Sequence, residues 1–167
     1  EVPHATDFAA LRPLAPVILS YILSFVYIGI YWNNHHHMLH VTTHVNGKIL
    51  WANLHLLFWL SLVPVVTAWM GESRFSGLPV AAYGVVMFCA AVAYYVLSRA
   101  FIAHHGPHSQ LGEAVGKDRK GVLSLVLYGA AIPLALPSPK LACGIYAAIA
   151  LLWLVPDRRI ERALRQH

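Results

Sequence analysis

Histidines are the residues of this chain most able to do chemistry, and they are clustered. Five of the eleven histidines lie within the stretch from Tyr31 to His44. On a helix, His36, His40 and His44 would share one face because they are four residues apart. A second group follows the third apolar run. Imidazole nitrogens at such spacing can chelate a metal. The candidate ligands in the two groups are His36, His40, His104, His105 and His108.

The two histidine groups allow two interpretations. An H-x-x-x-H pattern with an H-H-x-x-H pattern is similar to that of membrane di-iron desaturases and hydroxylases, which would make the chain an enzyme. Those enzymes usually carry a third cluster, which is not visible here, and Glu113 and Asp118 are the only nearby carboxylates. The second interpretation is that the histidines bond the free carbonyls at helix ends near a membrane interface. For His37, His44 and the 104–108 group we favour this second interpretation.

The inner part of the first cluster calls for a different explanation. Asn34, His35 and His36 stand at the end of one apolar run, and Asn53 and His55 stand near the start of the next. Polar groups inside a membrane need hydrogen-bond partners, and for each of these residues the nearest available partners are the others. The sequence therefore predicts a polar network between the first two helices.

The amino-acid composition indicates whether these helices lie in water or in lipid. The chain has 167 residues, of which 58% are hydrophobic and only 11% charged, whereas soluble domains carry about 25% charged residues. One core of this size could not bury so much apolar surface, so we expect an integral membrane protein in a lipid bilayer. The net charge of +5 is dispersed, which argues against a nucleic-acid partner. Cys89 and Cys143 lie in apolar runs and are interpreted as small packing residues, not as a disulfide.

The apolar runs predict an all-α protein with five membrane spans in one transmembrane domain over residues 1–156. The predicted spans are approximately 14–40, 50–69, 80–104, 122–136 and 141–155. The last two are short for a crossing of about 30 Å. Residues 157–167 predict a basic tail, either amphipathic on an anionic membrane surface or simply solvated.

Basic residues orient this predicted bundle. With five spans, nine of the Lys and Arg residues fall on the side of the C-terminus and only Arg12, Arg74 and Lys140 fall on the other. The positive-inside rule then makes the C-terminus cytoplasmic and places Glu1 outside. Because an outside N-terminus without a signal peptide is unusual, we expect one further helix upstream of this sequence.

One stretch carries a family resemblance. It comprises Trp32-Asn33-Asn34-His35-His36 with His40, then Asn46-Gly47, then the run from Trp51 to Pro64. This double signature resembles the transmembrane-protein-175 family of potassium channels. In that family a repeat has six helices, and bacterial members form tetramers. The first, pore-lining helix carries an Arg-x-x-x-Phe-Ser-Asp motif, which is absent here.

The resemblance implies a specific function. The chain would be five helices of a six-helix potassium-channel subunit in a bacterial plasma membrane, assembled as a homotetramer. Potassium would be the permeant ion, passing a hydrophobic constriction, and no catalytic residue or cofactor is expected. The residues that would brace the Phe-Ser-Asp helix are Asn34, His35, Asn53 and Trp59. A non-conducting structural subunit is the remaining alternative to the channel and the di-iron enzyme.

Overall fold

The part of the chain described by the computed structural model comprises residues 15–40, 44–106 and 118–154. Its regular secondary structure is entirely helical. The five helices are α1 (Ala15–His40), α2 (Gly47–Glu72), α3 (Gly77–His105), α4 (Arg119–Leu134) and α5 (Pro139–Leu154). Their ends lie within three residues of the predicted bounds. The predicted C-terminal tail lies outside the described residues.

Side-chain caps explain why α2 and α4 begin before their predicted spans. Asn46 accepts a hydrogen bond from the backbone N–H of Ile49 at 3.0 Å, so α2 begins at Gly47. Asp118 accepts from the N–H of Gly121 at 2.7 Å, so α4 begins at Arg119, three residues before the predicted span. In both cases the side chain satisfies a donor that the first turn would leave unpaired.

The five helices alternate in direction between two ends of the bundle. Asn46 and His104 are bonded at 3.1 Å, which joins the start of α2 to the end of α3. We call this the histidine end. At the opposite end, a Cβ added to Gly77 would lie 3.0 Å from the carbonyl oxygen of Ala135, so the α2–α3 and α4–α5 turns are in contact there.

Helix α3 forms the centre of the packing, with α2 on one side and α4 and α5 on the other. Small residues on α3 allow this close approach, since Ala90 and Ala93 are fully buried. The interior also holds a group of buried aromatic rings from four chain segments, with neighbouring centroids 5.3–5.8 Å apart. We call this group the tyrosine core; it consists of Tyr27, Tyr83, Tyr128 and Tyr146.

Two hydrogen bonds hold the tyrosine core to backbone. The hydroxyl of Tyr27 donates to the carbonyl oxygen of Tyr146 at 2.9 Å, which ties α1 to α5. The hydroxyl of Tyr146 donates to the carbonyl oxygen of Val80 at 3.3 Å, which ties α5 to α3. The core is thus held by apolar packing and by these two bonds. The hydroxyl of Tyr83, by contrast, is buried without a hydrogen-bond partner among the described residues.

The outside of the bundle is apolar. Helix α2 buries one stripe with spacings of three and four residues, yet most of the large side chains on its other faces are also apolar, including Trp51, Phe58 and Val65. A helix that is apolar all round belongs in a large core or in lipid. By length and composition, α2 and α3 are the two helices within the described ranges that suit a membrane crossing, while α5 is apolar but shorter.

Charged side chains lie towards the two ends of the bundle. In the described part of the chain the histidine end carries Lys48, Arg99, Asp118, Arg119 and Lys120, and the opposite end carries Glu72, Arg74 and Lys140. The Arg99 guanidinium lies over the ring of Tyr95, 5.0 Å from its centroid. The helices between these ends carry no charge.

Candidate functional site

The candidate site is the polar seam, which we define as Asn34 and His35 of α1 with Asn53, His55 and Trp59 of α2. Successive residues of a helix point about 100° apart, so the consecutive polar residues of α1 face different directions. Asn34 therefore turns inward and is 4% exposed, His35 is half-buried beside α2, and the neighbouring His36 is exposed.

One bond of the seam joins the two helices. The Nε2 atom of His35 lies 2.7 Å from the amide oxygen of Asn53. An amide oxygen can only accept, so with this amide orientation the His35 proton is on Nε2. This contact brings together two of the four residues predicted to brace a neighbouring helix.

The other two predicted residues bond elsewhere. Asn34 donates from its Nδ2 atom to the carbonyl oxygen of Ile30 at 2.8 Å, one turn back on its own helix. Trp59 donates from its indole N–H to the Nε2 atom of His55 at 2.9 Å, within α2. The structure therefore places Asn34 and Trp59 in bonds within their own helices, and only His35 and Asn53 bond across the seam.

His55 accepts a hydrogen bond within α2 and also faces outward. An indole N–H is a donor only, so the Nε2 atom of His55 must be the acceptor and its ring proton is on Nδ1. The residue is exposed and lies eight residues, or about 12 Å, along α2 from Gly47. Exposed polar groups at such depth in a membrane usually face a protein or water-filled interior.

His36 shows a second pairing of imidazole with indole. Its ring is stacked on that of Trp32, with centroids 5.0 Å apart and planes 11° from parallel. Both this pair and His55–Trp59 are separated by four residues on one helix. The sequence prediction missed the two pairs, although this i, i+4 spacing was the signal that could have found them.

The histidine end does not assemble a metal centre among the residues that the structure describes. His104 bonds Asn46, and the Nδ1 atom of His105 lies 3.1 Å from the carbonyl oxygen of Phe101, one turn back. No group of three or more His, Cys, Asp or Glu side chains comes together there or elsewhere in the described ranges. Two of the candidate ligands, the side chain of His40 and all of His108, lie outside them.

The His105 contact does not test the role predicted for the 104–108 group. Its ring reaches the carbonyl oxygen of Phe101, four residues back on α3. The carbonyls without a partner inside a helix are the last four, and in α3, which ends at His105, Phe101 lies before them. Bonding of free carbonyls by these histidines therefore stays a prediction.

The fold and seam together define a class: an all-helical protein, apolar outside, whose first two helices share a partly open set of imidazole, amide and indole groups. Comparison with known proteins gives the family. The profile described as "Endosomal/lysosomal potassium channel TMEM175" matches residues 1–64, the part that holds the seam. No solved structure matches the chain significantly.

Two bacterial relatives extend the match. The chain is 46% identical over all 167 of its residues to "Potassium channel HX13_20290" of a Chryseobacterium species, and it covers 87% of that protein. It is 34% identical over 92 residues to "Potassium channel B446_29190" of Streptomyces collinus, a match that covers 53% of this chain and 45% of that protein. The chain therefore belongs to the TMEM175 family.

Proposed function

We propose that this chain is part of a potassium-channel subunit that conducts passively across a bacterial plasma membrane. The observation that supports this most strongly is the 46% identity, over the whole chain, to a bacterial protein named as a potassium channel. The printed name of the second relative agrees. The uncharged, apolar exterior between two charged ends is what a bilayer-embedded subunit requires.

The charges support one orientation of the subunit. Among the described residues, the histidine end has four basic residues and one acidic residue, and the opposite end has two basic residues and one acidic residue. By the positive-inside rule the histidine end is cytoplasmic. Residues 155–167, which follow α5 at that end, would place the C-terminus inside.

The pore in this proposal is lined by a further helix, which is not among the five described. It packs on the polar seam, where the exposed His55 would otherwise face hydrocarbon. Four subunits around a central axis would bring four such helices together. The constriction is made by apolar side chains, so conduction depends on its width and wetting.

Within this arrangement the seam positions the pore helix and does not touch the ion. His35 and Asn53 hold α1 and α2 in register, and Trp59 fixes the ring of His55. A polar residue of the pore helix would then bind side chains that are already oriented. Such a contact is more favourable than one with mobile side chains, because no conformational entropy is lost in ordering them. Potassium is the permeant ion, and neither a catalytic group nor a cofactor takes part.

Potassium flux from proteoliposomes made with the complete native protein tests the proposal. Asn53→Leu should abolish most of the flux, because the seam loses its interhelical acceptor while the helix stays apolar. Ser61→Leu is the matched control, since Ser61 is an exposed polar residue of the same helix whose hydroxyl bonds its own backbone at Phe58.

The outcomes separate two parts of the proposal. Absence of flux from the unmodified protein, with valinomycin-induced flux intact, would contradict the channel function. Full flux from Asn53→Leu would leave the channel function standing and remove the seam from its mechanism.

A further inference from the structure

A recess lies in the half of the bundle nearer the histidine end, between α1, α3, α4 and α5. Its walls are mostly aromatic. The aromatic residues that line it are Tyr27, Tyr31, Tyr94, Tyr95, Tyr128 and Trp153. Two of these belong to the tyrosine core, and Asn34 of the polar seam forms part of the wall on α1. The recess therefore lies between the polar seam and the tyrosine core.

Three of the rings are held by direct contacts, and we call them the ring layer: Tyr31, Tyr94 and Trp153. The centroid of the Tyr94 ring lies 6.2 Å from that of Tyr31 and 6.0 Å from that of Trp153. The planes of these two pairs are 74° and 72° apart, so neighbouring rings stand nearly at right angles. The indole N–H of Trp153 donates to the hydroxyl of Ser124 at 2.8 Å. The ring layer thus connects all four helices around one level of the recess.

Two polar side chains line the recess one turn from the ring layer, on the side of the histidine end. Asn34 is three residues along α1 from Tyr31, which is about 4.5 Å. The carboxylate of Asp118 accepts a hydrogen bond from the N–H of Gly121 at 2.7 Å. Because Gly121 is three residues along α4 from Ser124, also about 4.5 Å, this carboxylate and Asn34 lie at the same level.

Both polar side chains have acceptor atoms to offer a ligand. The Asn34 side chain donates to the carbonyl oxygen of Ile30, and this is its one hydrogen bond to a described residue, so its amide oxygen is left without a donor. Asn34 is 4% exposed, and polar groups buried to this degree are nearly always bonded. The Asp118 carboxylate caps α4 and forms no ion pair with a residue that the structure describes.

The charge of the lining selects the ligand. Among the described residues, Asp118 is the one charged side chain that lines the recess, since no Lys, Arg or His belongs to the lining. Arg99 lies over the ring of Tyr95 but is not part of the lining either. An anion would be repelled by the carboxylate, whereas a cation is attracted by it and by the faces of Tyr and Trp rings. A cation with N–H groups would also satisfy the amide oxygen of Asn34.

We propose that this recess binds a small protonated primary amine with a short apolar chain. The ammonium group lies between the Asp118 carboxylate and the Asn34 amide oxygen, and the apolar chain lies among the rings of the ring layer. The site is separate from the proposed conduction pathway and does not depend on it. Because His35 of the polar seam follows Asn34 directly, the amine would bind at the turn of α1 that contacts α2.

The test is ¹⁹F NMR of the complete protein in phosphatidylcholine–phosphatidylglycerol nanodiscs, with 5-fluorotryptophan in place of tryptophan. The signals of Trp153 and Trp69 are assigned from the variants Trp153→Phe and Trp69→Phe. The probes are n-butylammonium and 1-butanol, which have similar size and differ in charge. We expect a saturating shift of the Trp153 signal, with an affinity for butylammonium at least tenfold that for butanol, equivalent to about 1.4 kcal/mol. The signal of Trp69, near the opposite end, should not move.

Asp118→Asn tests the charge at the site. Asparagine caps a helix as well as aspartate does, so α4 should be retained while butylammonium binds about tenfold more weakly and butanol binds as before. Glu72→Gln is the matched control, because it removes a carboxylate from the opposite end of the bundle and should leave both affinities unchanged. An unchanged ¹⁹F spectrum of each variant without probe shows that its fold is retained.

Three results would overturn the inference. They are equal affinities of the unmodified protein for the amine and the alcohol, undiminished binding of butylammonium to Asp118→Asn, and a shift of the Trp69 signal as large as that of Trp153. The last result would assign the response to amine dissolved in the bilayer. The comparison of amine with alcohol needs no variant, so it stands even where a substitution disturbs folding. Absence of potassium flux would contradict the proposed channel function and leave these binding results as they are.

Discussion

The polar seam and the tyrosine core are both built on α1, yet they differ in how their polar groups are satisfied. In the core, the bonded hydroxyls of Tyr27 and Tyr146 reach backbone carbonyls of other helices, and both side chains are almost fully buried. In the seam, His35 bonds Asn53 and Trp59 bonds His55, side chain to side chain, and His55 remains exposed. The core is a closed structure that holds the bundle together. The seam is partly open and suits a further partner.

This difference suggests that the tyrosine core serves mainly stability and the polar seam mainly function. Backbone acceptors cannot move without moving a helix, so bonds to them fix the positions of α1, α3 and α5. Side-chain partners can be exchanged at lower cost, as binding a new helix requires. We therefore expect changes in the core to lower stability most, and changes in the seam to affect conduction more than stability.

The largest loss of stability should come from Gly84→Ala in the core. A Cβ at this position would overlap the Tyr146 hydroxyl and lie 3.0 Å from a side-chain carbon of Ile132. Overpacking of this kind costs about 1–3 kcal/mol, measurable as a lower unfolding temperature in detergent. Gly29→Ala is the control because nothing lies within 4 Å of its Cβ, and alanine is the better helix former. Equal stability of the two variants would contradict the close packing of α3 on α5.

A smaller loss is expected from Tyr27→Phe. The change deletes the bond between α1 and the Tyr146 carbonyl, and a buried hydrogen bond contributes about 1 kcal/mol. Tyr21→Phe removes the same hydroxyl from a side chain of α1 that is 69% exposed, so it should leave the unfolding transition unchanged. If both variants behave alike, the Tyr27 bond does not stabilise the bundle.

The smallest effect is expected across the seam, from a double-mutant cycle of His35→Ala and Asn53→Ala. Interhelical hydrogen bonds in membrane proteins average about 0.6 kcal/mol, so the two changes should be coupled by about that amount in unfolding measurements. Pairing His35→Ala with Ser61→Ala should give additive changes, since the Ser61 hydroxyl bonds its own helix. A coupling as large as the effect of Gly84→Ala would mean that the seam is part of the stabilising core.

Much of the fold could be predicted from the order of residue types. Apolar runs interrupted by Asn46-Gly47, by the Gly71–Gly77 stretch, by Gly106-Pro107 and by Pro137 predict five helices, because these interruptions favour turns whatever the tertiary context. The proximity of His35 and Asn53 was also predictable, since each lies near the same connection. The bonds of Asn34 and Trp59 were not, because both have acceptors on their own helices that compete with partners across the seam.

By itself the sequence determined that this protein is helical, that its exterior is apolar and that its charges fall near the helix ends, because these properties depend on residue type and spacing alone. Only the tertiary structure decided that His35, within the run of polar residues from Asn33 to His37 on α1, bonds α2, because that depends on the rotation of one helix against another. It also decided that Tyr27 bonds a carbonyl 119 residues away and that four helices leave an aromatic recess beside Asn34. Such contacts depend on how five helices pack at once, which no local pattern records.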